Sequence, residues 1–516
     1  MSTNSEWVVG PQGPLHPTPY PLLSATTLRA VEQATAAKLP PHTLMQRAGL
    51  AVARLTLAYA PHAQTVWIAC GGGNNGGDGL MVARMLHKAG YRVHTYVVEY
   101  SKKYTEDCAH NVRRVKAANI PFKRITTKEE IPDFSKYDLL IDALFGTGLS
   151  REITGIAAEV IQKMNESGKT IVSIDLPSGL FLDKKTTFAV EADETVTFQI
   201  PKLALYLPDN YRFVGNVTIV TIGLSEKAIA EASSNQFLLE KKYIRELLKP
   251  ISNFAHKGTQ GHALIVGGSL GKTGAVCLAS KAALKTGCGL VTAYLPKCGT
   301  QVIQTYFPEA MAIEDKQVEY ISDIDFELRP DAIGIGVGIG KKDETQQAFY
   351  RFLQKNDLPT VIDADGLNIL SLHPEWFSFL LPKTILTPHP KELSRLIGEW
   401  SDDYEKIEKT TAFAKKYHLI VIIKGAYSLI IDSENLYVNN SGTPALATAG
   451  SGDVLTGIIT SLLAQGYEPI DAAKIGVYLH GLTANLTQKT IHPRSFVASD
   501  IIDNIGNAYF NIEKNS

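Results

Sequence analysis

Short runs of apolar residues, few of them interrupted by an alternating polar position, recur through this chain at helix-length intervals. That pattern admits few architectures. Between residues 24 and 224 the runs fall at 66–70, 93–98, 138–142, 170–175, 195–198 and 217–221. Amphipathic stretches separate most of them, as at 43–59, where Leu44, Ala48, Ala51, Val52 and Leu55 share one helical face. A strand that is apolar on both sides has to be covered on both sides, so the pattern predicts a parallel sheet with helices on each face. A charged, weakly apolar stretch at 225–236 follows. A second series then runs at 262–266, 290–295, 332–335, 360–362, 385–387, 419–423 and 428–431. The predicted organisation is an N-terminal arm over residues 1–23, polar and proline-rich as befits an extended or disordered start, then one α/β domain over 24–230 and another over 240–516.

Composition excludes several classes of function. The 516 residues are 45% hydrophobic and 20% charged, with a net charge of −1, so there is no basic field for nucleic acid. No window holds the ~18 uninterrupted apolar residues of a membrane span, and the N-terminus lacks the basic-then-apolar pattern of a secretory signal. Cys70, Cys108, Cys277, Cys288 and Cys298 are odd in number and lack metal-type spacing. They argue against a disulfide framework or structural zinc and for a reducing cytoplasm. A cytoplasmic homo-oligomer acting on small molecules is the expectation.

In a parallel α/β sheet, ligands collect beyond the carboxyl ends of the strands. Three runs in the first half end in polar or glycine-rich signals: Cys70 leads into GGGNNGGDG, Ile141 into DALFGTGL, and Ile174 into DLPSGL. They are expected to share one rim. The glycines of the first signal are read as a loop that turns backbone N–H groups toward an anion, with a helix following at 80–88. The loop 146–151 repeats the idea and adds the Arg151 guanidinium. Asp175 precedes a sharp Leu-Pro-Ser-Gly turn and is the better candidate for general acid or base. Asn75, Asp142 and Ser178 offer hard oxygen atoms, which suit a group I or II cation better than zinc. The first loop does not fit the Rossmann GxGxxG pattern in its context and no GK[ST] follows it, which disfavours a standard NAD dehydrogenase or a P-loop there.

GNNGGDGLMVAR (73–84), DALFGTGLSR (142–151) and SIDLPSGL (173–180) together resemble the NAD(P)H-hydrate epimerase family, over residues 24–225. Gly72 stands where that family usually has proline. The resemblance implies a Rossmann-like three-layer αβα domain. In it Asn74, Asn75, Gly76, Gly77 and Asp78, together with Gly146, Thr147, Gly148, Leu149, Ser150, Arg151, Glu152 and Asp175, bind the hydrated dinucleotide. Asn75, Asp142 and Ser178 would hold K⁺.

The second half carries HKGTQGHALIVGGSLGKTGAVCLA (256–279) and TPALATAGSGDVLTGIITSLLA (443–464). The latter sets a Gly-Ser-Gly-Asp turn before an apolar helix expected at 454–464. Backbone donors there stabilise charge developing on a transferred phosphoryl oxygen, and Asp453 can take the proton of an attacking hydroxyl. This arrangement looks like the ribokinase-like α/β fold. With IGIGVGIG (333–340), DADGLNIL (363–370), TPHPKEL (387–393) and KGAYSLI (424–430), it resembles the ADP/ATP-dependent NAD(P)H-hydrate dehydratase family over residues 240–510. Lys391 replaces the family's more frequent glycine. By that resemblance Ala275, Gly338, His389 and Asp453 contact the hydrated dinucleotide, while Lys424, Gly425, Ala426, Tyr427, Ser428 and Gly452 hold ADP or ATP with Mg²⁺. Read without the family, His389 between two prolines is a turn cap and Lys424 a solvated charge.

The combined expectation is a repair enzyme for NADHX and NADPHX, epimerising the R and S hydrates and dehydrating the S form at the expense of ADP or ATP. Asp175 and Asp453 would be the catalytic residues. An epimerase-first fusion resembles the bacterial form, which favours ADP. The alternatives are a small-molecule kinase of the ribokinase type with a non-catalytic nucleotide-binding N-terminal domain, and a non-catalytic binding protein.

Overall fold

A computed structural model of the chain describes residues 19–100 and 103–514. Most of the arm expected at 1–23 lies outside the described residues. Two compact units emerge, formed mainly by Pro21–Ser234 and by Asn235–Ser401 with Glu405–Ser516.

The first unit is built on a seven-stranded sheet in the order Phe122–Ile125, Arg92–Val98, Thr65–Cys70, Leu139–Ala143, Thr170–Ile174, Glu194–Phe198 and Asn216–Val220. Every neighbouring pair is parallel. Alternate side chains serve opposite faces. Trp67, Leu140 and Ile171 pack with Val160, Ile161 and Met164 of the helix Ile156–Asn165. Ile68 and Cys70 point the other way, toward Gly79 in the helix Asn74–Lys88. Helices therefore cover both faces, as the all-apolar runs require. The register sets Ala69 beside Asp142 and Asp142 beside Ser173, which brings the three polar strand ends to one level.

The second unit holds an eleven-stranded sheet. From one edge its strands are Tyr20–Pro21, Gln236–Leu239, Leu436–Asn439, Leu429–Ile431, Ile420–Ile423, Ile385–Leu386, Thr360–Ile362, Ala332–Ile335, His262–Val266, Leu290–Leu295 and Met311–Glu314. Leu429–Ile431 runs antiparallel to both its neighbours, and the strands from Ile420–Ile423 to Met311–Glu314 are parallel. On one face the helices Thr273–Lys285 and Ser451–Ala464 pack backbone to backbone. A Cβ on Gly457 would stand 2.1 Å from the Ala279 carbonyl oxygen, so only glycine permits that approach.

Two expectations about helix starts need correction. The helix expected at 80–88 begins at Asn74, and the one expected at 454–464 begins at Ser451. Gly76, Gly77 and Gly79 are thus helical, and their role is contact. A Cβ would meet the Gly71 oxygen at 1.9 Å from Gly76, Met45 Cε at 2.6 Å from Gly77, and Ala143 Cβ at 2.5 Å from Gly79. Poor helix propensity is overridden by packing that larger residues would forbid. Five short strands, Tyr20–Pro21, Phe122–Ile125, Gln236–Leu239, Met311–Glu314 and Leu436–Asn439, lie outside the expected apolar runs. No helix among the described residues is long and apolar enough to cross a membrane.

Candidate active sites

In the first unit, starting the helix at Asn74 changes which backbone groups face a ligand. Gly77 N–H already donates to Gly73 O at 3.1 Å, so the open donors of the first turn are those of Asn74, Asn75 and Gly76. Gly73, extended at φ −89°, caps this end, and a Cβ there would meet nothing within 4 Å. This end is a helix N-terminus with open space before it, an arrangement suited to an anion.

Asn75 and Ser178 converge on Phe145, and Asp142 on Ser178. Asn75 Nδ2 donates to Phe145 O at 3.0 Å, and Ser178 Oγ accepts from Phe145 N at 2.8 Å. Asp142, wholly buried, accepts from Ser178 Oγ at 2.6 Å, Ser178 N at 2.7 Å and Ser173 Oγ at 2.8 Å. Burial pushes its carboxyl up, against the pull of these hydrogen bonds. Asn75 Oδ1 is buried with no hydrogen-bond partner. An orphaned amide oxygen beside a buried carboxylate and a carbonyl is the donor set a hard monovalent cation takes, and the residues fit K⁺.

Asp175 has a positive φ of 66°, a strained conformation for a non-glycine residue, fixed by the turn that follows. Its Oδ1 accepts from Lys202 Nζ, and from Thr197 Oγ1 and Phe198 N, both at 3.3 Å. Lys202 is only 2% exposed, and its ammonium also donates to Thr197 Oγ1 at 2.9 Å. Two further carboxyls lie in the field of this pair. Burial raises Asp78 well above the carboxylate range, with Asp175, Glu32 and Asp107 adding to it. Glu32 is raised to about 7 by burial and then Asp175, opposed by Lys202 and Arg29. The loop carrying Gly146, Thr147, Gly148, Leu149, Ser150, Arg151 and Glu152 is half-exposed to exposed, and Arg29 Nη2 comes within 3.2 Å of a Cβ position on Gly148. Sequence reasoning missed Lys202, Glu32 and Arg29.

The second unit gathers its motifs as tightly. Lys424 is no solvated charge: its Nζ donates to Asp363 Oδ1 at 2.8 Å. Asp363, buried, also accepts from Ala364 N and Thr456 Oγ1, each at 2.8 Å. A Cβ on Gly452 would lie 3.2 Å from Lys424 Nζ and 3.5 Å from Asp363 Oδ2, so the ion pair sits directly against the start of the helix Ser451–Ala464. Gly450, at φ 83°, makes the turn into that helix. Burial, then the Asp363 charge, push the Asp453 carboxyl up to about 7, while Lys424 opposes them.

His389 does cap a helix, Pro390–Ile397. Its Nδ1 accepts from Lys391 N at 3.2 Å and Glu392 N at 3.3 Å, and Glu392 Oε2 accepts from His389 N at 2.9 Å. With Nδ1 an acceptor, the proton is on Nε2, and burial together with Lys424 favours the neutral ring. Gly338, at φ 64°, leaves 3.2 Å between its Cβ position and Ala275 Cβ, so these two meet in one wall. Gly425, Ala426, Tyr427 and Ser428 form the hairpin turn between Ile420–Ile423 and Leu429–Ile431, with Gly425 and Ala426 exposed. His480, which sequence reasoning missed, donates from Nε2 to Ser451 O at 3.0 Å beneath the Gly-Ser-Gly-Asp turn, and burial holds its ring down to about 4.

Comparison with known proteins decides between the readings. A family model described as NAD(P)H-hydrate dehydratase matches residues 263–507, and one described as YjeF-related protein N-terminus matches 41–204. The bifunctional NAD(P)H-hydrate repair enzyme Nnr of Coxiella burnetii is 34% identical over 474 residues, 90% of this chain and 94% of its own. The chain belongs to the bifunctional NAD(P)H-hydrate repair enzymes. The Escherichia coli member is 30% identical over 472 residues, covering 90% of this chain and 88% of its own. A solved ADP/ATP-dependent NAD(P)H-hydrate dehydratase from Bacillus subtilis, co-crystallised with ATP/Mg²⁺, is 28% identical with a TM-score of 0.46, over 53% of this chain and 98% of that one. Membership in this repair family makes the chain an epimerase and a nucleotide-dependent dehydratase of hydrated NADH and NADPH, and it removes the kinase and binding-protein alternatives.

Proposed function

We propose that the two catalytic steps are carried by Asp175 in the first unit and Asp453 in the second. The observation that carries the reading is that Asp175 is paired with the buried Lys202 and its charge reaches Asp78 in the helix Asn74–Lys88, while Asp453 lies in the first turn of the helix Ser451–Ala464, in the field of the Lys424–Asp363 pair.

In the first site the pyrophosphate of the hydrated dinucleotide lies against the N–H groups of Asn74, Asn75 and Gly76. The loop 146–152 and Arg29 close over it. Asp78 lines the same end of the helix, and Gly77 acts through packing. Asp175 takes the proton from the C6 hydroxyl as the ring opens and returns it on closure, so that the R and S hydrates interconvert. Asn75, Asp142 and Ser178 would hold K⁺, whose charge would steady the loop at Phe145 and the anion above it.

In the second site the S hydroxyl at C6 is phosphorylated and then lost as phosphate, a far better leaving group than hydroxide. Ala275, Gly338 and His389 form the wall for the hydrated ring. The Nε2–H of His389 is a neutral donor there. Lys424, Gly425, Ala426, Tyr427, Ser428 and Gly452 hold ADP or ATP. Mg²⁺ enters with the nucleotide phosphates, as that ion does where a protein supplies few carboxylates. Asp453 removes the hydroxyl proton, and the backbone donors from 449 to 452 stabilise the transferred phosphoryl oxygens. We further infer a homo-oligomer working in the cytoplasm. All five cysteines are free thiols, which supports a reducing compartment.

Paired substitutions test the assignment. With chemically hydrated NADH and ADP or ATP, Asp453→Asn is expected to stop dehydration and leave epimerisation, and Asp175→Asn to do the reverse. Loss of both activities from either change would contradict it.

A further inference from the structure

We propose that Glu32 is the second proton carrier of the first site, working opposite Asp175 as the hydrated ring opens and closes. The inference rests on the role given to Asp175 above. Glu32 lies in the helix Ala25–Ala36, three residues after Arg29 and on the same face. Arg29 reaches the dinucleotide loop at Gly148, and the Cβ position of nearby Gly146 is 3.4 Å from the Asn75 side chain. The helix face carrying Glu32 is thus laid along the rim where the two ligand-binding signals meet.

The charges acting on Glu32 are Asp175, Lys202 and Arg29. Glu32 itself acts on Asp78 in the helix Asn74–Lys88. The helix Glu226–Ala230, packed against Ala25–Ala36, carries Glu226 and Lys227, the latter 3.7 Å from Glu231. One buried ammonium serves this group of carboxyls, and it is bonded to Asp175. Neighbouring carboxyls do not all ionise in a poorly solvated site, so the two without the ammonium, Asp78 and Glu32, hold their protons. Glu32 is raised to about 7, which keeps that proton available at neutral pH.

The reaction needs such a pair. Opening the hydrated ring breaks the O–H bond and the C6–N1 bond, and it forms the C6 carbonyl and an N1–H bond. One group takes the hydroxyl proton while another delivers a proton to N1. Asp175 takes the first and Glu32 delivers the second. After rotation about C5–C6, N1 adds to the other face of the carbonyl. Its proton returns to Glu32, and Asp175 returns the other to oxygen. Both carboxyls end as they began, and no co-reactant enters.

The test follows R/S interconversion of hydrated NADPH by the full chain as a function of pH. Glu32→Gln is expected to lower kcat roughly 100-fold with KM nearly unchanged, the usual worth of one positioned acid or base. Its residual rate should lose the dependence centred near pH 7. Glu32→Asp should keep part of the rate and a displaced limb, and that profile decides the matter if Glu32→Gln does not fold. A full rate with an unaltered profile in both variants would overturn the inference, as would a raised KM with unchanged kcat. Asp175→Asn separates the two layers: if it is inactive while Glu32→Gln is not, only the role of Glu32 fails, and if it stays active the underlying reading of Asp175 fails.

Discussion

The ammonium of Lys424 stands 2.8 Å from Oδ1 of Asp363 and beneath Gly452, at the mouth of the turn that ends in Asp453. One cation thereby serves a buried carboxylate, the start of the helix Ser451–Ala464 and the field at the proposed base. Lys424→Met leaves the buried Asp363 carboxyl with only its hydrogen bonds from Ala364 N and Thr456 Oγ1, a loss of about 3–5 kcal/mol for a broken buried pair. It also removes the charge that holds the Asp453 carboxyl down, so the acid limb of dehydration should move to higher pH. A pH–rate profile of S-NADHX dehydration checks this, with thermal unfolding of the same variant as the stability measurement.

Asp453 gives that profile its sign. A base works as the carboxylate, and a carboxyl raised to about 7 is mostly protonated below that value. Dehydration should therefore rise with pH through about 7, while His480, held down to about 4, stays neutral and adds nothing to that limb. Asp453→Asn should abolish the limb together with the activity.

The helical glycines separate packing from ligand contact. Gly76→Ala would drive a methyl group to 1.9 Å from the Gly71 oxygen and should lower the melting temperature of the chain by several degrees. Gly73→Ala meets nothing within 4 Å, so stability should hold. Any loss should appear instead as a raised KM for the hydrated dinucleotide, measured in the epimerase assay.

The cation reading predicts that epimerisation is faster in K⁺ than in Li⁺ or choline at equal ionic strength. Asn75→Ala, which removes the orphaned amide oxygen, should weaken that preference while dehydration in the same chain is unaffected. Equal epimerisation rates in all three salts would count against the site at Phe145.

Much of this was legible in the sequence, for a physical reason. Strands buried on both faces are apolar throughout, so the central strands and their order of function could be read from residues such as Val66–Cys70 and Ile420–Ile423. Edge strands such as Phe122–Ile125 carry exposed polar side chains and gave no such signal. Gly76, Gly77 and Gly79 read as a loop because propensity is local, whereas the Gly71 and Ala143 atoms that crowd Gly76 and Gly79, and the Met45 side chain against Gly77, belong to other segments. The motifs named Asp175, Asp453 and Lys424 but not Lys202 or Glu32. Lys202 sits in an apolar stretch with no motif around it, and Glu32 is one of several polar residues on an ordinary amphipathic helix. Only the fold brings them to Asp175.

Under the proposed roles, one chain repairs both epimers at two independent carboxyl sites. The most direct measurement gives the purified chain an equilibrated mixture of R and S hydrated NADH with Mg²⁺ and ADP or ATP, and follows the absorbance of the restored dihydronicotinamide. Complete recovery is predicted, with a fast phase for the S fraction and a slower one for the R fraction, the slower phase lost in Asp175→Asn. Recovery that stops at the S fraction in the unmodified chain, or none at all, would contradict it.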